Sequence, residues 1–361
     1  MSKLISLLMT AIMFFMPSLN IDRIDAKKSQ WKTDYAYVYC HGLSGWGSYD
    51  FQYKLLPYWG LLGGDMIKNL NSVGFRCYAA SVDPEGSAWD RACELYAQLT
   101  GTKVDYGKYH SEKYGHDRFG EDFSGKRLIE NWSSTDKINL LGHSFGGVTV
   151  RLLAELMANG SEDEMRATDS GDISGLFTGG KADWIYSITT LAAPTNGTTA
   201  YGFGDPKLAM ENYDCAAFDM YIDNALAINE RISTQPCTYY FAIPCSSTYR
   251  TEDGTYVPDK ELTEFNMVSS AEMMGQLTGT TPGGFVCDES WLENDGLVNT
   301  ISAGAPFNAE SQPLDRNNIT PGVWNVTETY AGDHMALNGD LFKSNNIRPF
   351  YADWMIMINS L

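Results

Sequence analysis

The sequence predicts an α/β fold with a mostly parallel central sheet and helices on both faces. Three observations point to it: short apolar runs recur along the chain, a segment of helical period lies between two of them, and one run leads directly into a glycine-flanked serine. Strands covered on both faces appear as near-continuous apolar runs. The chain has 361 residues, of which 43% are hydrophobic and 20% charged, so it can bury the core that such a fold needs.

Five apolar runs, rich in β-branched and aromatic residues, supply the predicted strands. They are AYVYC at 36–40, FRCYAASV at 75–82, INLLG at 138–142, IYSITTLAA at 185–193 and TYYFAIP at 238–244. After the third run, Val148, Leu152 and Leu156 repeat every four residues, which predicts a helix. Asn159 and Gly160 are a normal helix end, so we expect the helix to stop there.

The N-terminal residues are typical of a secretory signal peptide, which we place at 1–26. Lys3 precedes an apolar stretch, Leu4 to Met16, that is too short to span a bilayer. An uncleaved N-terminal anchor is the alternative. The rest, 27–361, is predicted to be one domain with insertions at about 84–135 and 200–235, secreted and without a transmembrane anchor once the signal is cleaved.

Charge and cysteine content exclude several classes of protein. The 45 acidic and 26 basic residues give a net charge of −19, which disfavours binding to nucleic acid or to anionic lipid headgroups. Seven scattered cysteines, without CxxC pairs, argue against a disulfide framework or a thiolate zinc site. No disulfide pairing is predicted.

A GxSxG motif, GHSFG, follows the third predicted strand where the helix begins. A strand-to-helix elbow of this kind presents the serine hydroxyl at the carboxyl end of the sheet, and the flanking glycines leave room for the turn. Ser144 is therefore the candidate nucleophile. The amide of Phe145, at the helix N-terminus, is a candidate oxyanion donor.

The candidate base is His334, because the hydrolases built on this elbow have the chain order nucleophile, acid, base, and no other histidine follows Ser144. His334 follows a strand-like run at 323–330, which would place it on a loop at a strand end. Asp295, in the turn sequence WLENDGLVN, is the best placed acid. Other carboxylates between or beside them remain open as alternatives: Asp288, Asp315 and Asp333.

The second oxyanion donor is expected in HGLSGWG, directly after the first strand. An HG sequence at that point matches lipases in which a backbone amide completes the oxyanion hole, and Leu43 is the candidate. A simple glycine-rich turn is the alternative.

Two further histidines lie in the polar insertion. With Asp90 upstream, His110 and His116 could form an oxygen and nitrogen metal site, although solvated surface histidines are the default. HExxH is absent, which counts against a zinc peptidase.

From about Asp34 onward, the chain resembles the secreted bacterial true lipases of the thermoalkalophilic and staphylococcal type. The matching stretches are HGLSGWG, WDRACELYAQL, VDYG followed by a histidine, GHDRFG and WLENDGLVNT. The resemblance implies an α/β-hydrolase fold with a small zinc-stabilised insertion. It also implies Ser144 as nucleophile, Asp295 as acid and His334 as base, with the amides of Leu43 and Phe145 as the oxyanion hole.

The resemblance further implies a structural zinc ion. Its implied ligands are Asp90, His110, His116 and Asp219, with Asp223 as a rival for the fourth place. Two imidazoles and two carboxylates would close a four-coordinate shell and leave no position for a water nucleophile.

Two departures from the family pattern affect what the resemblance implies. The segment between Pro194 and Asp219 is much shorter than the family's, so a reduced lid is expected and interfacial activation is in doubt. Ala336 stands where the family uses a glutamate to bind calcium, and although Asp340 remains, a full calcium site is not expected.

These residues predict a secreted serine hydrolase that cleaves carboxylic esters of lipids, a triacylglycerol lipase, through an acyl-enzyme. Its expected partners are lipid or ester substrates, including substrates at a lipid-water interface. A carboxylesterase of short soluble esters and a non-catalytic lipid-binding protein are the alternatives. A hydrolase that uses zinc for catalysis is disfavoured.

Overall fold

A computed structural model describes residue 28, residues 31–203 and residues 213–361. The predicted signal peptide at 1–26 lies outside these residues, as does the part of the predicted lid region at 204–212. In the described part of the chain, no helix is both long enough and apolar enough to cross a membrane.

Seven parallel strands form the central sheet. In chain order the strands of the structure are β1 (Ala36–Cys40), β2 (Cys77–Ala80), β3 (Lys103–Asp105), β4 (Phe119–Asp122), β5 (Ile138–His143), β6 (Ile185–Leu191), β7 (Tyr239–Ile243), β8 (Cys245–Ser246), β9 (Thr248–Arg250), β10 (Tyr256–Pro258), β11 (Gly279–Thr280), β12 (Val286–Cys287), β13 (Ser311–Pro313), β14 (Trp324–Val326) and β15 (Tyr330–Ala331). The order across the central sheet is β13-β14-β7-β6-β5-β1-β2, and every neighbouring pair is parallel. The predicted parallel sheet is confirmed, and each of the five predicted runs contains one of its strands.

The remaining strands form four two-stranded pairs beside the sheet, and helices complete the fold. The helices are α1 (Met66–Ser72), α2 (Ala88–Thr100), α3 (Lys108–Tyr114), α4 (Phe145–Asn159), α5 (Glu162–Ala167), α6 (Ala216–Asp219), α7 (Ile222–Asn229), α8 (Val268–Met274) and α9 (Arg348–Asn359). Short 3-10 turns lie at Phe51–Lys54, Leu61–Gly63, Ala182–Trp184, Thr199–Tyr201, Glu289–Trp291 and Ala336–Asn338. Helix α4 ends at the predicted residue, with Gly160 at its C-cap.

Two hydrophobic cores cover the two faces of the sheet. Successive side chains of a strand point to opposite faces. Accordingly, Tyr37 and Tyr39 of β1 pack in one core with residues of α1 and α9, whereas Val38 packs in the other with residues of α2 and α4. Burial on both faces explains why the strand sequences are apolar without alternation.

Helix α2 begins inside the segment predicted as an insertion, yet it belongs to the main core. Ala92, Leu95 and Leu99 are buried in the same cluster as Leu153 of α4. The polar part that follows carries the β3–β4 hairpin and α3. This arrangement brings the N-terminal end of α2 close to the carboxyl ends of the strands, where the candidate site lies.

Candidate active site and metal-binding cluster

Ser144 occupies a strained turn between the last residue of β5 and the first residue of α4. Its φ is 53° and its ψ is −131°, a combination that costs a non-glycine residue about 1–3 kcal/mol. A Cβ at Gly142 would lie 2.3 Å from the Gly146 carbonyl oxygen, and one at Gly146 would lie 2.3 Å from the Cys40 carbonyl oxygen. The glycines of the motif are therefore required by the close packing of the elbow.

His334 and Asp295 form a buried pair. His334 Nδ1 lies 2.9 Å from Asp295 Oδ2. The backbone N–H of His334 also donates to the backbone carbonyl oxygen of Asp295 over 2.9 Å. The other carboxylate oxygen, Oδ1, accepts the N–H groups of Leu297 and Val298 at 3.0 and 2.7 Å. A carboxylate held in this way accepts the Nδ1 proton, which leaves Nε2 of His334 as the basic nitrogen.

The carboxylates of the alternative acids contact groups other than His334. Asp333 accepts the N–H groups of Glu264 and Met335. Asp288 caps a 3-10 turn, and Asp315 accepts the N–H of a residue in its own turn. Of the four candidates, the structure places Asp295 on the imidazole of His334.

The loop that carries His334 docks against the residue that precedes the serine. His143 Nε2 lies 2.8 Å from the His334 carbonyl oxygen, and the two rings are 4.9 Å apart. Tyr58 Oη lies 2.7 Å from His143 Nδ1. The loop of His334 thus lies against the carboxyl end of β5, at the residue directly before Ser144.

The loop after β1 lies directly over the serine side chain. A Cβ at Gly42 would lie 2.7 Å from the Ser144 Cβ and 3.1 Å from its Oγ, so only glycine fits. The Gly42 N–H donates to Tyr58 Oη over 3.1 Å. In the described part of the chain, the amides of Leu43 and Phe145 have no hydrogen-bond acceptor. Both amides are therefore available as donors to an oxygen beside Ser144.

Burial fixes the protonation state of two other histidines in this region. Burial lowers the pKa of His41 to about 3, and the nearby charge of Arg91 acts in the same direction. Burial also holds the pKa of His143 well below its usual range. Both rings are neutral at ordinary pH, so neither competes with His334 as a proton carrier.

A second cluster joins α2, α3 and the segment before α6. The possible ligand atoms of Asp90, His110, His116 and Asp214 all lie within 4.8 Å of one another. His110 Nε2 lies 3.1 Å from Asp90 Oδ1 and 3.0 Å from Asp214 Oδ2, and His116 Nε2 lies 3.2 Å from the same Asp214 oxygen. The ring of His110 stacks on Trp89 at 5.1 Å, which fixes its orientation.

The composition and unmet polar atoms of this cluster fit a zinc ion. His116 Nδ1 lies 2.9 Å from the Asp117 carbonyl and donates to it, leaving Nε2 with a lone pair directed into the cluster. That Nε2 is buried without a hydrogen-bond partner. Burial lowers the pKa of His110, but hydrogen bonds to Asp214 and Asp90 outweigh it and raise this pKa to about 9. The cluster therefore attracts positive charge, and two imidazoles with two carboxylates are ligands that zinc accepts.

The fourth member of the cluster differs from the sequence prediction: it is Asp214, and the prediction of Asp219 was wrong. Asp219 Oδ2 accepts the N–H of Ala88 over 2.8 Å, so its carboxylate caps the helix that carries Asp90. Burial raises the pKa of Asp219 to about 7. The rival Asp223 is also elsewhere, where it accepts the hydroxyl of Thr281 and the N–H of Gly283.

Sequence reasoning missed the carboxylate that holds the loop after His334. The Glu264 side chain is 2% exposed and accepts the N–H groups of Leu341, Phe342 and Lys343. Asp340 lies nearby, and its burial raises its pKa to about 6. No motif surrounds Glu264 in the sequence, so only the fold reveals this contact.

The parallel sheet with a serine elbow at its carboxyl end defines the class as the α/β-hydrolases. The family described as "Lipase-like, C-terminal domain" matches residues 33–211 and 206–353. The chain belongs to this family.

The relatives in sequence and structure are bacterial. The chain is 32% identical to a lipase of Staphylococcus epidermidis, over 87% of this chain and 51% of that protein. It is 31% identical to lipase 1 of Staphylococcus aureus, over 87% and 52%. The chain thus spans about half the length of the curated relatives it matches.

Two solved structures have the same fold. EstA from Clostridium botulinum aligns with a TM-score of 0.83 and 26% identity, over 96% of this chain and 99% of that one. The lipase of Staphylococcus hyicus aligns with a TM-score of 0.78 and 27% identity, over 91% and 97%.

Proposed function

We propose that the protein is a secreted serine hydrolase that cleaves the carboxylic esters of lipids. The observation that carries this proposal is the pair of His334 and Asp295 at 2.9 Å, docked through His143 against the strand that leads into Ser144. Relatives named as lipases, aligned over 87% of the chain, support the substrate class.

The proposed mechanism is a two-step acyl transfer. His334 Nε2 removes the hydroxyl proton of Ser144 as the oxygen attacks the ester carbonyl, and Asp295 stabilises the imidazolium that forms. The amides of Leu43 and Phe145 donate to the oxyanion. Collapse of the tetrahedral intermediate breaks the ester bond, and the imidazolium gives its proton to the leaving alcohol. Water, activated by the same base, then releases the carboxylic acid from Ser144.

Zinc has a structural role in this proposal. Asp90, His110, His116 and Asp214 would hold it, and the bound ion would join α2, α3 and the segment before α6 by neutralising their clustered charge. The ion takes no part in the acyl transfer.

Two experiments test the proposal: labelling of the serine, and a comparison of ester chain lengths. A fluorophosphonate probe should label the wild-type protein on Ser144 and leave Ser144→Ala unlabelled, with the melting temperature of the variant unchanged. Equal labelling of both proteins would reject this nucleophile. Absence of labelling in the wild type would instead favour a non-catalytic lipid-binding protein.

A short-chain carboxylesterase is the second candidate, because the segment between Pro194 and Asp219 is much shorter than the corresponding segment of the lipase family that the sequence resembles. Hydrolysis of p-nitrophenyl esters from acetate to palmitate, measured above and below the solubility limit of each ester, separates the two. A lipase should prefer the long chains and gain activity above the limit. Activity confined to dissolved short chains would identify an esterase.

A further inference from the structure

Arg91 is a buried cation beside the candidate oxyanion hole. Its side chain lies on the first turn of α2 and is fully buried. Among the described residues, no carboxylate lies within ion-pair distance of its guanidinium. Burial of a charge without a counter-charge is costly, so its neutral partners must stabilise the cation.

Most of those partners belong to the loop that covers Ser144. Nη2 donates to the His41 carbonyl, and Nη1 donates to the carbonyls of Gly42 and Asp83 at 3.4 and 3.2 Å. The Gly42 carbonyl and the Leu43 N–H are the two ends of one peptide group. Arg91 Nη1 shares that carbonyl with His41 Nδ1 at 2.9 Å and the Gly45 N–H at 3.2 Å, and together these donors fix the plane of the peptide and polarise its N–H.

The same guanidinium also lies beside the residue that carries the second amide. Its central carbon lies 5.2 Å from the centroid of the Phe145 ring, which is fully buried. Nε donates to Thr149 Oγ1 over 3.0 Å, and that hydroxyl donates to the Phe145 carbonyl over 3.1 Å. Arg91 is thus hydrogen-bonded to the loop that carries the Leu43 amide and to the start of the helix that carries the Phe145 amide.

From this geometry we infer that Arg91 is a positioning residue for the oxyanion hole. It holds the amides of Leu43 and Phe145 in one fixed arrangement, and its positive charge favours the negative oxygen of the tetrahedral intermediate. This inference rests on the proposed serine hydrolase function. It adds a residue that acts through the two amides and does not touch the substrate.

Arg151 provides a matched control. It is also a buried arginine, 2% exposed, and its guanidinium carbon lies 5.7 Å from the ring centroid of Trp324. Arg151 lies on the part of α4 that leads away from Ser144. Its Nη2 donates to Asn229 Oδ1 over 2.7 Å. Loss of this arginine removes a buried cation without touching the oxyanion loop.

The test compares Arg91→Met, Arg91→Lys and Arg151→Met. Each protein is titrated to completion with a fluorophosphonate, so that kcat is expressed per active site and misfolded molecules do not count. Arg91→Met should lower kcat between about tenfold and a thousandfold with KM unchanged, and should weaken a boronic acid inhibitor by a similar factor. Arg151→Met should lose stability and keep kcat.

Arg91→Lys keeps the charge and loses the planar fork, so it should fold and still have a reduced kcat. This variant keeps the test decisive if Arg91→Met fails to fold. Unchanged kcat per titrated site in the Arg91 variants would overturn the inference while leaving the proposed function intact. A wild-type protein that neither reacts with the probe nor hydrolyses esters would overturn both.

Discussion

The imidazole of His143 donates from Nε2 to the carbonyl oxygen of His334, 2.8 Å away. Because burial keeps the His143 ring neutral, its other nitrogen must accept, and Tyr58 Oη lies 2.7 Å from it. Burial raises the pKa of Tyr58 to about 12, so the hydroxyl keeps its proton and donates it. Tyr58 in turn accepts the N–H of Gly42. One chain of hydrogen bonds therefore runs from the oxyanion loop to the loop of the base.

Breaking this chain should reduce both stability and activity. His143→Phe leaves the His334 carbonyl without this donor and the Tyr58 hydroxyl without its acceptor, which we expect to cost about 1–3 kcal/mol each. Because the loop of the base loses its anchor, kcat per active site should also fall. Urea denaturation and steady-state kinetics measure the two effects. Tyr58→Phe, which leaves the contact to His334 in place, should destabilise the protein with a smaller loss of kcat. Wild-type kcat in His143→Phe would contradict the anchoring role.

Two neighbouring carboxylates should have different effects on catalysis. Asp295→Asn replaces the acceptor on His334 Nδ1 with an amide that favours the wrong tautomer, so kcat should fall by about 10³–10⁴. Asp333→Asn changes a carboxylate that accepts backbone N–H groups and should mainly lower stability. Steady-state kinetics on a soluble ester, with melting temperatures for both variants, separates the roles. A larger loss of kcat in Asp333→Asn would reassign the acid.

Acid should destabilise the protein through His41. Its pKa is about 3 in the folded protein, against 6.5 for the free side chain. As the pH falls below 6.5, the unfolded chain binds a proton at this position, whereas the folded chain does not. The stabilisation present above pH 6.5 is therefore lost as the pH falls towards 3, at up to about 1.4 kcal/mol per pH unit.

The comparison of wild type with His41→Gln isolates this contribution. Free energies of unfolding from urea titrations between about pH 7 and pH 4 should show a wild-type advantage that shrinks with falling pH. A difference that stays constant with pH would mean that His41 takes up its proton over the same pH range in the folded and the unfolded protein, which would contradict the lowered pKa. The advantage of the wild type over His143→Gln should also shrink as the pH falls, since burial also lowers the pKa of His143.

Most of the central sheet could be predicted from the sequence because both of its faces are covered. Continuous apolar runs mark β1 and β5 to β7, and the GHSFG motif at the end of β5 indicates Ser144. The edge strand β13, SQP, has no such run, since one of its sides faces solvent and its residues are partly exposed. Strands of this kind leave little hydrophobic signal.

The candidate site was predictable where a residue is tied to a motif or to chain order, as for Ser144 and His334. The structure then brings Asp295 to the base, although the functional roles remain predictions. Arg91 gave no local signal, because a charged residue in a helix pattern is normally solvated. Its burial depends on the tertiary contact between α2 and the loop after β1, which no short stretch of sequence encodes.

The choice between Asp214 and Asp219 was beyond the sequence for a similar reason. The two carboxylates are close along the chain: Asp214 precedes the four-residue helix α6 and Asp219 is its last residue. Asp214 lies in the cluster, whereas Asp219 accepts the N–H of Ala88. An isosteric pair of variants can therefore test this assignment.

Asp214→Asn removes a charged ligand, so we expect zinc affinity to fall by at least about tenfold. Asp219→Asn keeps an oxygen that can accept from Ala88 and should keep its zinc. Metal content by mass spectrometry and competition with a chelator measure the difference. Zinc lost from Asp219→Asn and retained by Asp214→Asn would restore the ligand set expected from the sequence.

Chelation of the wild-type protein extends the same argument to the role of the ion. If zinc only joins α2, α3 and the segment before α6, its removal should lower the melting temperature while the initial rate at room temperature persists. His110 and His116 would then be left with two carboxylates and no metal ion, which weakens the cluster that holds the start of α2. A loss of rate at unchanged melting temperature would instead assign the ion to catalysis.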